Sequence, residues 1–421
     1  MIKTISLLPG VTLRCHADTR FKQGLLSFAL VRPMAKEEAA INALIPAILL
    51  RGSKNHPDLR AITLKLDDLY GASVGTQVRR IGDYQTTGLA CGFMEDRFAL
   101  NGDNILEPMV DFLRELLLEP VTEGEGFSEN YVESEKKNLI ATIESELNNK
   151  GAYAMARMLR SMCRADSYGI PRLGETEDVA AIDSRSAYRH YRKILRESPI
   201  QIFYVGSAPA ETVAGLLMPL LEAIDRDYVN LPDQTPFCDA GGGDITERME
   251  VAQGKLCLGY VTPITNQSPD FAAMQVMNTI FGAGMTSKLF VNVREKLSLC
   301  YSIGSGYYGS KGILTVSAGI DFAKEQQTRE EIDAQLAAIC HGDITAEELT
   351  AAKEAILSGL RSTHDAPGAI EGYYTTATLS GMGMSPEQYM EAVRTVTAEQ
   401  VSAAARTLTK HTTYFLKGVS E

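Results

Sequence analysis

Paired histidines are missing from this sequence. Its six histidines, at positions 16, 56, 190, 341, 364 and 411, stand more than twenty residues apart in every pairing. No two can occupy consecutive turns of one helix, where metal-binding histidines are commonly presented. Closely spaced cysteines are missing too, since the seven at 15, 91, 163, 238, 257, 300 and 340 never form CxxC. Their odd number argues against a closed disulfide framework and suits buried thiols in a reducing compartment. Positive charge is in deficit, 41 basic against 53 acidic residues, for a net charge of −12. Such a surface repels phosphate backbones and anionic lipid, so neither nucleic acid nor a membrane surface is an expected partner. The longest uncharged stretch, Phe271 to Ser287, contains Gln275, Asn278 and two glycines. It is shorter than the roughly 20 apolar residues that span a bilayer. The opening MIKTISLLPGVTLRCHADTR has no apolar run of signal-peptide length, so the expected location is cytoplasmic.

The composition that remains, 45% apolar and 22% charged over 421 residues, is that of a globular chain too long for one ordinary core. Compared with itself, the chain echoes once. Leu25 to Val31 matches Lys255 to Val261 at an offset of 230, and Ala72 to Gly75 matches Tyr301 to Gly304 at 229. Leu89 to Gly92 matches Val316 to Gly319 at 227, Lys136 and Gly151 match Lys353 and Gly368 at 217, and Phe203 to Gly206 matches Phe415 to Gly418 at 212. Short apolar words recur by chance, but a common order with a smoothly falling offset indicates two copies of one unit. The expected division is residues 1–224, a connector at 225–244 holding Pro232, Pro236 and Gly241 to Gly243, and residues 245–421.

Within the first copy, Leu25 to Val31 reads as a strand and Glu38 to Leu50 as an apolar helix. Residues 77–93 read as a hairpin turning at Gly82-Asp83. Leu106, Met109, Leu113, Leu116 and Leu117 recur at helical spacing, a charged helix follows over about Ser128 to Asn148, and Pro199 to Val205 reads as the last strand. Hairpins mixed with consecutive helices predict an α+β class, each unit a mainly antiparallel sheet with helices on one face.

The most specific stretch runs Phe281-Gly282-Ala283-Gly284-Met285-Thr286-Ser287-Lys288-Leu289-Phe290, then Val293-Arg294-Glu295-Lys296-Leu297-Ser298-Leu299-Cys300-Tyr301-Ser302. It resembles the "GGG-x-S-x-L-F…V-R-E-K-x-G-L-A-Y-S" segment of the insulinase or pitrilysin superfamily, which includes the mitochondrial processing peptidases. The resemblance extends over nearly the whole chain, because that family is built from two related α+β halves, and it implies a clamshell arrangement. It also implies that Arg294 and Tyr301 are a substrate-binding pair. Arginine offers a fixed fork of donors to a peptide carbonyl, and a tyrosine hydroxyl adds another. The bland alternative makes Arg294 a solvated helix residue and Tyr301 a core aromatic.

The family's chemistry needs an inverted zinc motif, H-x-x-E-H, on a helix of the first half, with a glutamate downstream. Leu49-Leu50-Arg51-Gly52-Ser53 resembles the "L-F-K-G-T" that follows that motif. Counting back, its five positions fall on Ala43, Leu44, Ile45, Pro46 and Ala47. Both histidines and the glutamate are missing, and Pro46, where the base would stand, removes a helix donor and is expected to kink the helix. Glu133 and Glu135, near the third-ligand region, read as a solvated face beside Lys136 and Lys137. Gly75 stands where active members place a peptide-contacting asparagine. His56 reads as a solvent-exposed turn residue, Cys300 as a packed thiol, and Gly282 and Gly284 as a tight loop beside a helix.

No metal, cofactor or catalytic residue is therefore expected, and the chain is not expected to be an enzyme by itself. The resemblance implies a noncatalytic, peptide-binding subunit of a heterodimeric processing peptidase, whose H-x-x-E-H partner holds the zinc. The alternative is a nonproteolytic scaffold of the same fold, with peptide maturation or elongation factor P modification as pathways. An autonomous zinc peptidase using scattered ligands such as His16 and His56 is the least favoured.

Overall fold

The computed structural model describes residues 2–419; Met1, Ser420 and Glu421, at the ends of the two expected units, lie outside the described residues. In chain order the elements of the first half are β1 (Ile2–Leu8), β2 (Val11–Ala17), β3 (Gln23–Pro33), α1 (Lys36–Leu49), α2 (Leu59–Asp68), β4 (Ser73–Ile81), β5 (Tyr84–Met94) and α3 (Leu106–Leu118). They continue through a short hairpin of β6 (Thr122–Glu123) and β7 (Gly126–Phe127), then α4 (Glu129–Ser145), α5 (Lys150–Met162), α6 (Thr176–Ala180), α7 (Ser184–Glu197), β8 (Ile200–Gly206) and α8 (Ala210–Glu222). The second half has β9 (Gly243–Met249), β10 (Gly254–Val261), α9 (Phe271–Phe281), a π-helical segment Leu289–Lys296, β11 (Cys300–Tyr308) and β12 (Ile313–Ile320). It closes with α10 (Glu325–Cys340), α11 (Ala346–Ser362), α12 (Pro367–Leu379), α13 (Pro386–Thr395), α14 (Ala398–Arg406) and β13 (Thr409–Gly418).

The class is α+β, with one open sheet per unit. In the first the strand order is β1-β2-β8-β3-β5-β4, and in the second β11-β12-β10-β13-β9. Set side by side, β2-β8-β3-β5-β4 and β9-β13-β10-β12-β11 are one topology used twice. Each has a single parallel pair, β2 with β8 and β9 with β13, and otherwise antiparallel neighbours. Registers repeat as well. Leu25 opposes Gly92 as Lys255 opposes Gly319, and Ser73 opposes Gly92 as Ser302 opposes Gly319, which reproduces offsets of 230, 229 and 227. The last strand differs by one residue. Leu26 opposes Tyr204 while Leu256 opposes Phe415, so the offset there is 211 and the counterpart of Phe203 is Tyr414. Matching phenylalanine to phenylalanine had slipped the strand by one, which would turn every side chain to the wrong face.

Membership of the two compact units is not continuous in sequence. Unit 1 comprises Met1–Glu144, Ile170–Asp233 and Asp365–Tyr373, and unit 2 comprises Ser145–Gly169, Gln234–His364 and Tyr374–Glu421. The crossing at 233/234 lies in the stretch read as a connector, but segments 145–169 and 365–373 each join the unit of the other half. The central strands explain why. Tyr260 on β10 reaches Asp333 of α10 with its hydroxyl, whereas a Cβ on its neighbour Gly259 would meet Met162 of α5, so the two faces of β10 are covered from different directions. On the α5 side Ala154, Met158, Leu159, Met162 and Cys163 pack with Cys257, Ile313, Tyr414 and Leu416 in one buried cluster. In unit 1, Leu26, Phe28 and Leu30 join α1, α3, α7 and α8 in the main core. On the reverse face of β3, Ser27 donates to Glu371 at 3.2 Å. All seven cysteines are free thiols. Among the described residues no helix is long and apolar enough to cross a membrane.

Unit 2 also buries an ion pair. The Lys311 ammonium, with 0% of its side chain exposed, lies 3.0 Å from Asp166, whose side chain is 1% exposed. It also donates to the Thr235 carbonyl at 3.0 Å and hydroxyl at 3.2 Å. Asp166 accepts in addition from the backbone N–H groups of Tyr168 and Cys238. One cation thus ties the β11–β12 turn to the 163–169 loop and to the connector. Removing one member strands the other charge, a loss of about 3–5 kcal/mol for a dry pair. Lys311→Met is accordingly expected to destabilise by about that amount in chemical denaturation, with partial recovery in the Lys311→Met, Asp166→Asn double variant.

Candidate functional site

The helix expected to carry the zinc motif is present as α1; positions 43–46 are buried, and Ala47, where the second histidine would stand, is half-buried. Ala43 is 7% exposed, Leu44 1% and Ile45 2%, and the latter two belong to the unit 1 core. Pro46 is buried and lies inside the helix, which runs on through it to Leu49. A proline at this position leaves the carbonyl four residues earlier, on Asn42, without its helical donor. The Thr87 hydroxyl on β5 supplies one, donating to the Asn42 carbonyl at 2.6 Å. A side-chain donor from the sheet thus replaces the missing amide.

The polar groups beside the motif are equally committed. Asn42 donates to Gln85 Oε1 at 3.0 Å, and Gln85 donates to the carbonyls of Ala39 at 3.0 Å and Arg172 at 2.7 Å. His190 Nε2 lies 2.8 Å from Asn42 Oδ1. Burial depresses the His190 pKa to about 4 against the opposing pull of Glu38, so the ring is neutral near pH 7. Because the Asn42 amide nitrogen is spent on Gln85, the network assigns the His190 proton to Nε2. The chain Gln85–Asn42–His190 is a closed relay of hydrogen bonds. It leaves no ligand set for zinc, and no cluster of three metal-binding side chains occurs among the described residues.

The other proposed ligands are dispersed. Glu133 is half exposed and pairs with Lys136 at 2.7 Å, as expected of a solvated face. Glu135 is not solvated: it is 9% exposed, 3.3 Å from Arg51, and accepts from Asn138 at 3.1 Å. Arg51 follows α1 directly and stacks over Tyr131, so a fixed cation already neutralises the carboxylate. His56 also departs from expectation. Its Nδ1 lies 2.9 Å from Glu115 and its ring packs edge-on against Phe112, which gives the turn residue a structural partner. His16 is buried 3.5 Å from Asp18. Gly75 lies on the edge strand β4, with open space where a side chain would project.

In unit 2 the expected pair stands at the surface. Arg294 belongs to the π-helical segment, where Leu297 N–H donates to Asn292 O in the wide i→i+5 pattern. Its side chain is 40% exposed, stacks on Phe290 with the guanidinium carbon 4.7 Å from the ring centre, and places Nε 3.6 Å from Glu295. Tyr301 is the second residue of the edge strand β11 and is 61% exposed, which excludes the core-aromatic alternative. Its hydroxyl donates to Asp321 Oδ1 at 2.8 Å, and that bond raises the phenol pKa. Between them the chain reverses at Ser298, whose φ is +50°. This left-handed residue lets Leu299 N–H fold back to Val293 O and its own carbonyl accept from Lys324 at 2.8 Å. The family pattern has glycine at this position, and the backbone here shows the reason. Cys300 is packed, its thiol pushed up to about 11 by burial. A Cβ on Gly282 would meet Ser305 and Leu289 at 2.7 and 2.8 Å, so the glycine loop is tight, as expected.

Asp321, Ser298, Thr87 and the Arg51–Glu135 pair were not visible as site residues. Only Ser298 left a signal in sequence, as a departure from the family's glycine. Ser298→Gly is expected to stabilise unit 2 by about 0.5–1 kcal/mol in thermal or chemical unfolding, through relief of left-handed strain. Thr87→Val is expected to cost about 1–3 kcal/mol by orphaning the Asn42 carbonyl. The same substitution in a Pro46→Ala background costs less, because residue 46 then supplies an amide, and a double-mutant cycle measures the difference.

The comparisons with known proteins agree with this geometry. A family model described as the Peptidase M16 inactive domain matches residues 181–356. Over 409 residues the chain is 29% identical to the Bacillus subtilis protein named "Probable inactive metalloprotease YmfF", covering 97% of this chain and 96% of that one. A conserved protein from Enterococcus faecalis superposes with a TM-score of 0.93 at 26% identity, over 100% of this chain and 99% of the other. A peptidase M16 inactive domain from Pseudomonas fluorescens shares the fold, with a TM-score of 0.83 at 19% identity, over 99% and 98% of the two chains. With no ligand-bearing side chain at the motif positions of α1, the chain is similar over nearly its whole length to a probable inactive metalloprotease, and over residues 181–356 to the Peptidase M16 inactive domain, so it resembles noncatalytic members of the insulinase/pitrilysin (M16) superfamily.

Proposed function

We propose that this chain is the substrate-binding, noncatalytic subunit of a heterodimeric processing peptidase. In this reading a partner chain bearing H-x-x-E-H supplies the zinc and its activated water, and Arg294 and Tyr301 help hold the peptide. The observation that carries the proposal is the contrast between the two surfaces. In unit 1 motif positions 43–46 are buried, and Asn42, Gln85 and His190 beside them are joined by hydrogen bonds. In unit 2 a stacked arginine and an anchored tyrosine project into solvent on adjoining segments, with the two guanidinium Nη groups making no hydrogen bond among the described residues. Positioning of this kind contributes to rate without contributing a reacting group, because orienting a substrate lowers the entropic part of the barrier. Seven free thiols support action in a reducing, cytoplasmic setting.

The test is reconstitution with an H-x-x-E-H protein encoded beside this chain. Arg294→Ala is expected to lower kcat/KM of the assembled peptidase by about 10- to 100-fold, and Tyr301→Phe by less, with zinc content of the partner unchanged. Unaltered cleavage by both variants would point instead to a scaffold without a part in proteolysis.

A further inference from the structure

The two sheets differ at one edge. Thr12 on β2 opposes Gln201 as Gly243 on β9 opposes Thr412, so Gly243 to Glu247 are the counterparts of Thr12 to His16. In unit 1 those residues are paired on their outer side with β1, antiparallel, from Ser6 opposite Thr12 to Ile2 opposite His16. Unit 2 has no strand in that place, and β9 ends its sheet. Burial follows the pairing. Leu13, Cys15 and His16 are buried and Thr12 and Arg14 half-buried, whereas Gly243, Asp244 and Thr246 are exposed and Ile245 and Glu247 half-buried. Among the described residues, Gly243 to Glu247 make no backbone–backbone hydrogen bond beyond the ladder with β13.

An open edge is a template for another strand, and folded proteins commonly blunt such edges with lysine, proline or a bulge. β9, with the sequence GDITERM and an unbroken register against β13, has none of the three. It does carry charge, and the order of the charges matters. Paired antiparallel with a second β9 about Thr246, Asp244 faces the partner's Arg248, Arg248 faces the partner's Asp244, and Thr246 faces itself. Opposite charges and paired threonines are favourable cross-strand neighbours. A pairing centred one residue away loses the match: about Ile245, Asp244 faces a threonine, and about Glu247 it faces Glu250. Asp244 is 71% exposed, 3.1 Å from Arg329 of α10, and Arg248 donates to the Gly418 carbonyl at 3.1 Å through one Nη, which leaves its guanidinium further donors. Glu247, the other acid of the strand, is turned inward. It accepts from Tyr153 at 2.7 Å and Tyr414 at 2.6 Å and lies 3.2 Å from Arg157, so its charge is matched within its own copy.

We infer that β9 pairs with the β9 of a second copy of this chain, antiparallel about Thr246, in a symmetric dimer that joins two five-stranded sheets. The palindromic order of charge selects the second copy as occupant, because one surface supplies both members of each ion pair. An unrelated strand would have to bring the complement with it. β9 and β11 are opposite edges of the same sheet, so the pairing leaves Tyr301 uncovered, and this inference and the proposed function stand or fall independently.

The test is the mass of the full chain in solution, measured by sedimentation equilibrium across the micromolar range, where a concentration-dependent dimer is expected. Asp244→Arg and Arg248→Asp each set like charges opposite one another and are expected to weaken the dimer at least about tenfold. Combining the two restores opposite charges and is expected to recover part of that loss, with circular dichroism reporting that each variant is folded. A second measurement leaves the charges alone. In a Cys238→Ser background, which removes the exposed native thiol, Thr246→Cys is expected to cross-link two copies on mild oxidation, because position 246 faces itself at a separation a disulfide can span. Ile245→Cys, which faces the partner's Glu247, is not. A monomer throughout the range, a monomer that instead takes up an added extended peptide at β9, single variants that dimerise as well as the native chain, a folded double variant with no recovery, or equal cross-linking at 245 and 246 would each overturn the inference.

Discussion

Each sheet has a central strand that is buried on both faces, and most of the architecture follows from the need to cover them. In β3, Leu26, Phe28 and Leu30 alternate with Leu25, Ser27 and Ala29, and in β10, Leu256, Leu258 and Tyr260 alternate with Cys257 and Gly259. Helices that follow each strand in sequence cover one face. The other is covered in unit 2 by α5 and in unit 1 by residues 365–373, so each half contributes a piece to the unit of the other. A buried strand with one bare face would expose apolar area worth about 25 cal/mol per Å², which is the physical pressure for the exchange.

The same burial explains what became of the metal motif. A helix that presents two histidines and a glutamate must keep one face polar and open. With Ala43, Pro46 and Ala47 at those positions, α1 offers no ligand atom, Ala43 and Pro46 being buried and Ala47 half-buried, and the Asn42 carbonyl that Pro46 leaves without its helical donor is met by Thr87. Around it, the neutral His190 is hydrogen-bonded to Asn42, and Arg51 is paired with Glu135. A single histidine substituted at 43 or 47 would stand without the second histidine and the glutamate that the motif needs.

How much of this could be read beforehand depended on whether the information was local. Strand pairing repeats in both copies, so Gly92 and Gly319 already marked equivalent positions, and the seven-residue step from Arg294 to Tyr301 was visible without coordinates. Phe203 and Phe415 misled because identity of letter outweighed the facing of the side chain, which only the register reveals. His56 was misplaced into solvent for a related reason: its partner Glu115 lies on α3, far along the chain. The exchange of segments 145–169 and 365–373, the help that Thr87 gives Pro46, and the anchoring of Tyr301 by Asp321 are all contacts between distant residues. Composition and spacing carry no trace of them.

The Tyr301–Asp321 bond sets the polarity of the exposed pair. Because the phenolic hydrogen is given to the carboxylate, the oxygen keeps its lone pairs free and is left as an acceptor. Arg294, which has only hydrogens to give, is a donor. Two exposed side chains seven residues apart thus carry opposite hydrogen-bonding character, which neither residue type alone would suggest.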